Sequence, residues 1–297
     1  MGDGADAGVR WQVYLRLGRV SNLPTVWTNV LAGTALAGGA TPAAHVAVLA
    51  AACSLFYVGG MYLNDAFDRQ VDARERSERP IPSGQIGAGA VFAIGFGLLA
   101  AALVALAAAS AWWGGGRLGS VGAGLVLAGV ITYYDAHHKA NPWSPVVMGL
   151  CRVLVYATAA LAVAGRVSGA VAGGAAVLLS YLIGLTYVAK QENLARYQNL
   201  WPLLFLFAPF AYAAPALVAG PIGAAIHLGF LGWVGYAVSL LVRRGRPDIR
   251  QAVVSMIAGI SLLDALLIAR AGAPIGAGWA VLGFVLTLVF QRWVPGT

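Results

Sequence analysis

Apolar residues run along this chain in long blocks, separated by short polar interruptions. About 20 apolar residues cross the hydrocarbon core of a bilayer as a helix. Ten blocks have that reach, near residues 22–40, 43–65, 87–110, 118–135, 145–164, 168–189, 200–219, 222–242, 251–270 and 275–293. The pattern predicts an all-α polytopic membrane bundle of nine to ten transmembrane helices. We read it as one membrane-embedded domain over 1–297, with 1–20 as an interfacial amphipathic helix and 21–297 as the bundle. In 1–20, Trp11, Val13, Tyr14, Leu15 and Leu17 alternate with Arg10, Arg16 and Arg19, which suits a helix lying in the interface. Gly and Ala fill most blocks and favour close helix packing over a wide channel. Pro24, Pro202 and Pro209 lie at the starts of blocks or inside them, where they kink a helix.

The polar interruptions set an orientation. With the N-terminus in the cytoplasm, fifteen Lys and Arg residues fall on the inner side and only Arg117, Arg166 and Arg270 face outward. Arg152 lies within the fifth block. The longer polar loops all share the inner face. A site built from them opens to the cytoplasm, and the expected location is the inner (cytoplasmic) membrane.

Composition agrees with a lipid solvent. Hydrophobic residues make up 60% of the chain and charged residues 10%, against about 25% charged in a soluble domain. Mean hydropathy is +0.77. The net charge of +8 is explained by the inner-face asymmetry, so no nucleic-acid partner is expected. Cys53 and Cys151 sit in apolar blocks and fit no disulfide framework or zinc spacing.

Against this background one segment stands out: Asn64-Asp65-Ala66-Phe67-Asp68-Arg69-Gln70-Val71-Asp72, directly after the second block. On a helix, Asn64, Asp65, Asp68, Asp72 and Glu75 share one arc of roughly 100°. Clustered like charges need compensation. Arg69, Arg74, Arg76 and Arg79 supply part, and a hard divalent cation that bridges phosphate oxygens would supply the rest. The competing reading is a solvated helix end whose acids pair with those arginines. Guanidinium groups also bind phosphate bidentately, which makes Arg74, Arg76 and Arg79 candidate phosphate contacts. The stiff turn Arg79-Pro80-Ile81-Pro82-Ser83-Gly84 follows.

Ionisable residues inside apolar blocks are functional candidates. Arg152 is one, for an acceptor or a diphosphate, with pairing to Asp264 or Asp135 as the alternative. Lys190, at the end of the sixth block, can bind phosphate, or simply snorkel. His137 and His138, after the fourth block, can bind an acceptor or take a proton.

The motif Asn-Asp-x-x-Asp-x-x-x-Asp after the second span, followed by Arg-Pro-Ile-Pro-Ser-Gly, resembles the UbiA superfamily of intramembrane prenyltransferases. That resemblance implies Mg²⁺ as cofactor and ionisation of an isoprenoid diphosphate. The allylic group would then pass to an acceptor, with its lipid tail in an apolar tunnel. It also implies Asn64, Asp68 and Asp72 as the metal set with Asp65 supporting, and Tyr134 with Lys139 as counterparts of a Tyr-x-x-x-Lys element one residue shorter. Asn29 would face the pocket, and Tyr187 stands where the second motif has its tyrosine. The second aspartate-rich stretch is altered: Gly184 takes a place often held by Asp, and Gln191 and Glu192 stand near the later acids. The expected roles are therefore catalytic for Asp68, Asp72, Lys190 and Arg152, substrate-binding for Gln191, and metal-binding for Glu192. The segments Tyr-Asp-Ala-His-His-Lys, Asn-Pro-Trp-Ser-Pro, Leu-Cys-Arg and Tyr-Val-Ala-Lys-Gln-Glu-Asn are similar to a UbiA-like branch found in ebo-type cyclitol clusters. This implies a small cyclic, hydroxylated acceptor. The rivals are a terpene cyclase on the same scaffold and a membrane transporter or scaffold that only binds ions.

Overall fold

The computed structural model describes residues 11–38, 41–113, 118–139, 141–191, 201–242 and 248–296. All the regular structure among them is helical. After a short helix at 11–17 (α1) come α2 (Leu23–Ala37), α3 (Ala43–Glu75), α4 (Ala88–Trp112), α5 (Leu118–His137), α6 (Ser144–Ala164) and α7 (Gly169–Lys190). The second half holds α8 (Ala208–Ala213), α9 (Ala216–Ala219), α10 (Pro221–Leu241), α11 (Ile249–Arg270) and α12 (Pro274–Phe290). Each of the ten apolar blocks is helical. Among the described residues, seven helices (α3, α4, α5, α6, α7, α10 and α11) are long and apolar enough to cross a membrane. The chain thus forms an integral membrane bundle.

The helix ends follow local chemistry. Proline occupies the first turn of α2, α6, α10 and α12, where its missing N–H costs nothing. Ser168 caps α7 by accepting from the Val171 amide, and Asp248 caps α11 by accepting from Gln251 at 2.9 Å. The block at 200–219 is not one continuous helix. It breaks into a 3₁₀ segment (Trp201–Phe207), α8 and α9, because Pro202, Pro209 and Pro215 each remove a backbone donor. The larger departure is α3. It runs ten residues past the apolar block, so the acidic motif is not a loop but the last turns of a helix about 50 Å long.

Helices α2 and α6 form the spine. Residues of both enter a core with α3, α4 and α5 on one side, and a second core with α7, α10, α11 and α12 on the other. Their close approach depends on Gly33, where a Cβ would lie 2.9 Å from the Tyr156 carbonyl oxygen. Helices α11 and α12 pack back on α2 and close the ring. Helix α1 docks by one face: Val13 and Leu17 are buried with Tyr62, Ala66 and Val91, while Trp11 is exposed.

Candidate active site

Inside the ring lies a cavity of about 300 Å³, lined from α2, α3, α5, α6, α7 and α11. Its mouth is charged and its interior mostly apolar. The mouth is made by the last turns of α3 and the end of α5. Asn64, Asp65, Asp68 and Asp72 are all buried, as the shared arc predicts, whereas Glu75 is exposed. Cations grip the carboxylates. Arg79 reaches Asp72 at 2.8 Å and Asp65 at 3.3 Å, Arg19 reaches Asp65 at 3.1 Å, and Lys139 reaches Asp68 at 3.1 Å with His138 at 3.4 Å. Tyr134 stacks on His138. Helix α5 ends at His137, so Lys139 sits beyond it and folds back onto Asp68. This is how a spacing one residue longer than Tyr-x-x-x-Lys still delivers the lysine to the acids.

Two mouth residues were hidden in the sequence. Arg19 reads as part of the N-terminal helix, yet it adopts a left-handed backbone (φ 41°), the only non-glycine among the described residues with positive φ. Such a conformation costs about 1–2 kcal/mol and persists where surrounding contacts over-determine it. Here it turns the guanidinium onto Asn64 and Asp65. Burial, the largest single influence, would lower the Arg19 pKa, but the Asp65 carboxylate together with Tyr57 and Tyr134 outweighs it and raises it. The second hidden residue is Asp135 on α5. It accepts from the Asn64 amide at 3.2 Å, and its Oδ2 is buried without a hydrogen-bond partner. A lone acid at the end of an apolar block carries no local signal of this role.

Deeper in the cavity the charge disappears, except at Arg152. That guanidinium lies over the Tyr57 ring and donates to Asn29 at 2.9 Å and Thr25 at 3.0 Å. Asn29 is fully buried behind it and donates to Asp264 at 2.8 Å, while Thr28 and Tyr156 also donate to Asp264, each at 2.5 Å. Arg152 and Asp264 are therefore joined through Asn29 and not in direct contact, and Asp135 is committed to Asn64.

Several expected site residues lie elsewhere. Asn64, Asp68, Arg76 and Arg79 line the cavity; Asp65 and Asp72 are buried against Arg19 and Arg79 and Asn29 behind Arg152 without lining it, and Arg74 is exposed and does not line it. Lys190 is exposed at the end of α7 and donates to the Asn141 carbonyl at 2.9 Å. Tyr187 packs toward Trp201, and Gln191 caps α7. None of these three lines the cavity, because the inward face of α7 carries Leu182, Leu185, Thr186 and Ala189 instead. Glu192 lies outside the described residues. Lys190→Met is accordingly expected to change turnover by less than about threefold, as for a surface group away from the chemistry, in a steady-state diphosphate-release assay.

The acids and Asn64 at the mouth offer oxygen ligands, the donor type Mg²⁺ selects, with the His138 imidazole beside them. The unpartnered Asp135 Oδ2 beside Asn64 adds one open ligand position. Among the described residues no three His, Cys, Asp or Glu side chains already stand as a metal cluster, since Arg19, Arg79, His138 and Lys139 hold the acids. The residues fit the ion by donor type, with those cations yielding to it.

Comparison with known proteins decides the scaffold. A UbiA homologue from Archaeoglobus fulgidus, solved with GPP and Mg²⁺, superposes with a TM-score of 0.59 over 89% of this chain and 99% of that one, at 17% identity. The chain has the UbiA fold. A structure described for digeranylgeranylglyceryl phosphate synthase gives a TM-score of 0.60 over 88% of this chain and 98% of that chain, at 16% identity. The apo UbiA homologue from Aeropyrum pernix K1 gives 0.58 over 89% and 96%, at 14%. In sequence, digeranylgeranylglyceryl phosphate synthase from Ignicoccus hospitalis is 39% identical over 95 residues, or 32% of this chain and 31% of that one. The enzyme of that name from Methanopyrus kandleri is 36% identical over 89 residues, 28% of this chain and 31% of its own length. The match thus spans about a third of these curated relatives. No protein-family model matches the chain. The resemblance read from the acidic motif holds at the level of the UbiA fold.

On this UbiA scaffold the altered second motif has a packing reason. A Cβ on Gly184 would come 3.0 Å from Leu206 Cδ2 and 3.3 Å from the Pro202 carbonyl. The glycine seats the 3₁₀ segment Trp201–Phe207 against α7, and a larger side chain there would collide with it before reaching the cavity.

Proposed function

We propose that this chain is a Mg²⁺-dependent membrane prenyltransferase that moves an isoprenyl group from an isoprenoid diphosphate to a small cyclic, hydroxylated acceptor. One observation carries the reading: a single cavity has acids and cations interleaved at its mouth and an apolar interior between six helices. The sequence relatives named digeranylgeranylglyceryl phosphate synthase support it, as does the fold neighbour solved with GPP and Mg²⁺.

Asn64, Asp68 and Asp72 would hold Mg²⁺, with Asp65 and Asp135 beside them. Bound there, the ion supplies charge neutralisation for the departing diphosphate. The chain's own part follows from the geometry. Arg19, Arg76, Arg79 and Lys139 face the diphosphate oxygens and stabilise the charge that builds on them as the C–O bond loosens. The tail lies along Leu182, Leu185, Val253, Ile257 and Ile260, where water is excluded and hydrolysis of the allylic cation is suppressed. Tyr57 and Tyr134 present ring faces and hydroxyls between the two regions. The acceptor attacks the allylic carbon from the side opposite the diphosphate. The excess of basic residues on one face supports a cytoplasmic mouth.

The test is to supply purified protein in nanodiscs with Mg²⁺ and labelled geranylgeranyl diphosphate, with and without hydroxylated ring acceptors, and to weigh the lipid products. Prenylated acceptor is the expected product. A cyclised hydrocarbon formed without acceptor would replace this reading with a cyclase, and an untouched diphosphate would end the enzymatic reading.

A further inference from the structure

Arg152 is a cation that the donor-binding mouth does not use. Just before α2, Asn22 lines the mouth, and on α2 Thr25 and Asn29 meet Arg152; on α3, Asn64 lines the mouth and Tyr57 lies under Arg152. Tyr57 stands seven residues before Asn64 and eleven before Asp68 on one helix, so the ring under Arg152 lies about 10 Å from Asn64 and about 16 Å from Asp68 along the axis of α3. That is too far for the diphosphate oxygens gripped at the mouth, and about the reach of one sugar-sized ring plus the reacting carbon.

Guanidinium carries five N–H donors. Two are spent on Asn29 and Thr25. Among the described residues the other three have no acceptor, and the half-buried side chain lines the cavity, where a donor shielded from bulk water gains from a partner. A ligand should complete the set. Its charge is constrained as well. Three donors converge on Asp264, and the Asn29 amide bridges that carboxylate to Arg152, donating to the one and accepting from the other. The pair is internally balanced. A carboxylate or phosphate placed here would leave a net negative charge in an otherwise apolar chamber, where isolated charge is expensive. Neutral oxygens fill the free donors without that cost.

We propose that Arg152 is the acceptor-reading subsite and that it takes neutral oxygen groups, the hydroxyls or carbonyls of a polar ring, not an anionic head. This rests on the prenyl-transfer reading and names the acceptor chemistry within it. Asn29, Thr25 and Asp264 act through Arg152 as positioning residues that hold its planar fork toward the cavity.

The experiment uses the full chain in nanodiscs with Mg²⁺ and an unreactive thiolodiphosphate analogue of the donor. Calorimetry measures binding of three probes to the loaded protein: myo-inositol, 4-hydroxybenzoate and glycerol 1-phosphate. The expected result is that myo-inositol binds most tightly. Arg152→Met then weakens it about tenfold to a hundredfold, as loss of charge-assisted hydrogen bonds does, and leaves donor-analogue affinity unchanged. Arg152→Lys keeps the charge without the fork and is expected to lose most of the binding too, so the test survives if the methionine variant fails to fold. Tighter binding of either anionic probe overturns the proposal, as does no polyol binding or equal polyol binding by wild type and variants. A loss of donor affinity in Arg152→Met moves the residue to the donor side and likewise overturns it. Failure of wild type to bind the donor analogue is a separate outcome that strikes the prenyl-transfer reading itself, and the subsite with it.

Discussion

Asp68→Ala is expected to lower Mg²⁺-dependent diphosphate release by about 10²–10³-fold, the scale on which removing one preorganised electrostatic group slows an enzyme. The variant has a second signature that separates chemistry from collapse. Asp68 Oδ2 is the acceptor for both Lys139 and His138. Without it, the Lys139 ammonium loses its carboxylate and is freed for the diphosphate. Donor binding measured without Mg²⁺ should therefore hold steady or tighten while release falls. Asp72→Ala acts on the other cation, since Arg79 keeps only its 3.3 Å contact with Asp65, and the same divergence is expected there. Release kinetics from a coupled phosphate assay, set beside donor titrations, check both variants. Unchanged release in either would remove that carboxylate from the reaction.

The second large effect concerns stability. Asp264 is fully buried and receives hydrogen bonds from Thr28, Asn29 and Tyr156. Asp264→Ala strands the Asn29 and Tyr156 donors, while Thr28 falls back on the Thr25 carbonyl and Ser261, and it removes the acid nearest to Arg152 through Asn29. Interhelical hydrogen bonds in membranes average only about 0.6 kcal/mol each, so the bonds alone account for about 2 kcal/mol. Leaving a buried donor without an acceptor costs about 1–3 kcal/mol, and with more than one donor stranded a loss of about 3 kcal/mol or more is expected. At about 2 °C per kcal/mol for a domain of this size, the midpoint of thermal unfolding in nanodiscs should fall by roughly 6 °C or more. Asp264→Asn keeps the shape and one acceptor and should fall by less. A midpoint unmoved by the alanine change would mean that the carboxylate does not bind the helices together.

Much of this was legible along the chain, for reasons that are local. A helix buried in lipid must be apolar for about 20 residues, so the blocks announce themselves. Carboxylates four residues apart on one arc announce a shared face, and Asn64, Asp65, Asp68 and Asp72 do turn inward together. What stayed hidden depends on partners far away in sequence. Arg19 joins the mouth only because one residue turns left-handed. Asp135 gains its place from Asn64, 71 positions earlier, and Asp264 from Asn29, 235 positions earlier. Lys190 looked suited to a phosphate because of its charge at a helix end. The Asn141 carbonyl, 49 positions away, holds it outside the cavity instead. The extent of α3 was hidden for a different reason. Polar residues ended the apolar block, but helix propensity and arginine pairing carried the backbone on to Glu75.

The polar layer around Asp264 also bears on how the chain is made. Helix α11 is the most enclosed of the seven long apolar helices and carries a carboxylate in its interior. Its partners reside on α2 and α6, which leave the ribosome long before it. When α11 enters the bilayer, the groups that will solvate its carboxylate are already threaded and waiting. A chain permuted to synthesise α11 first would have to insert that acid with nothing to receive it, and should be caught by quality control far more often than the natural order.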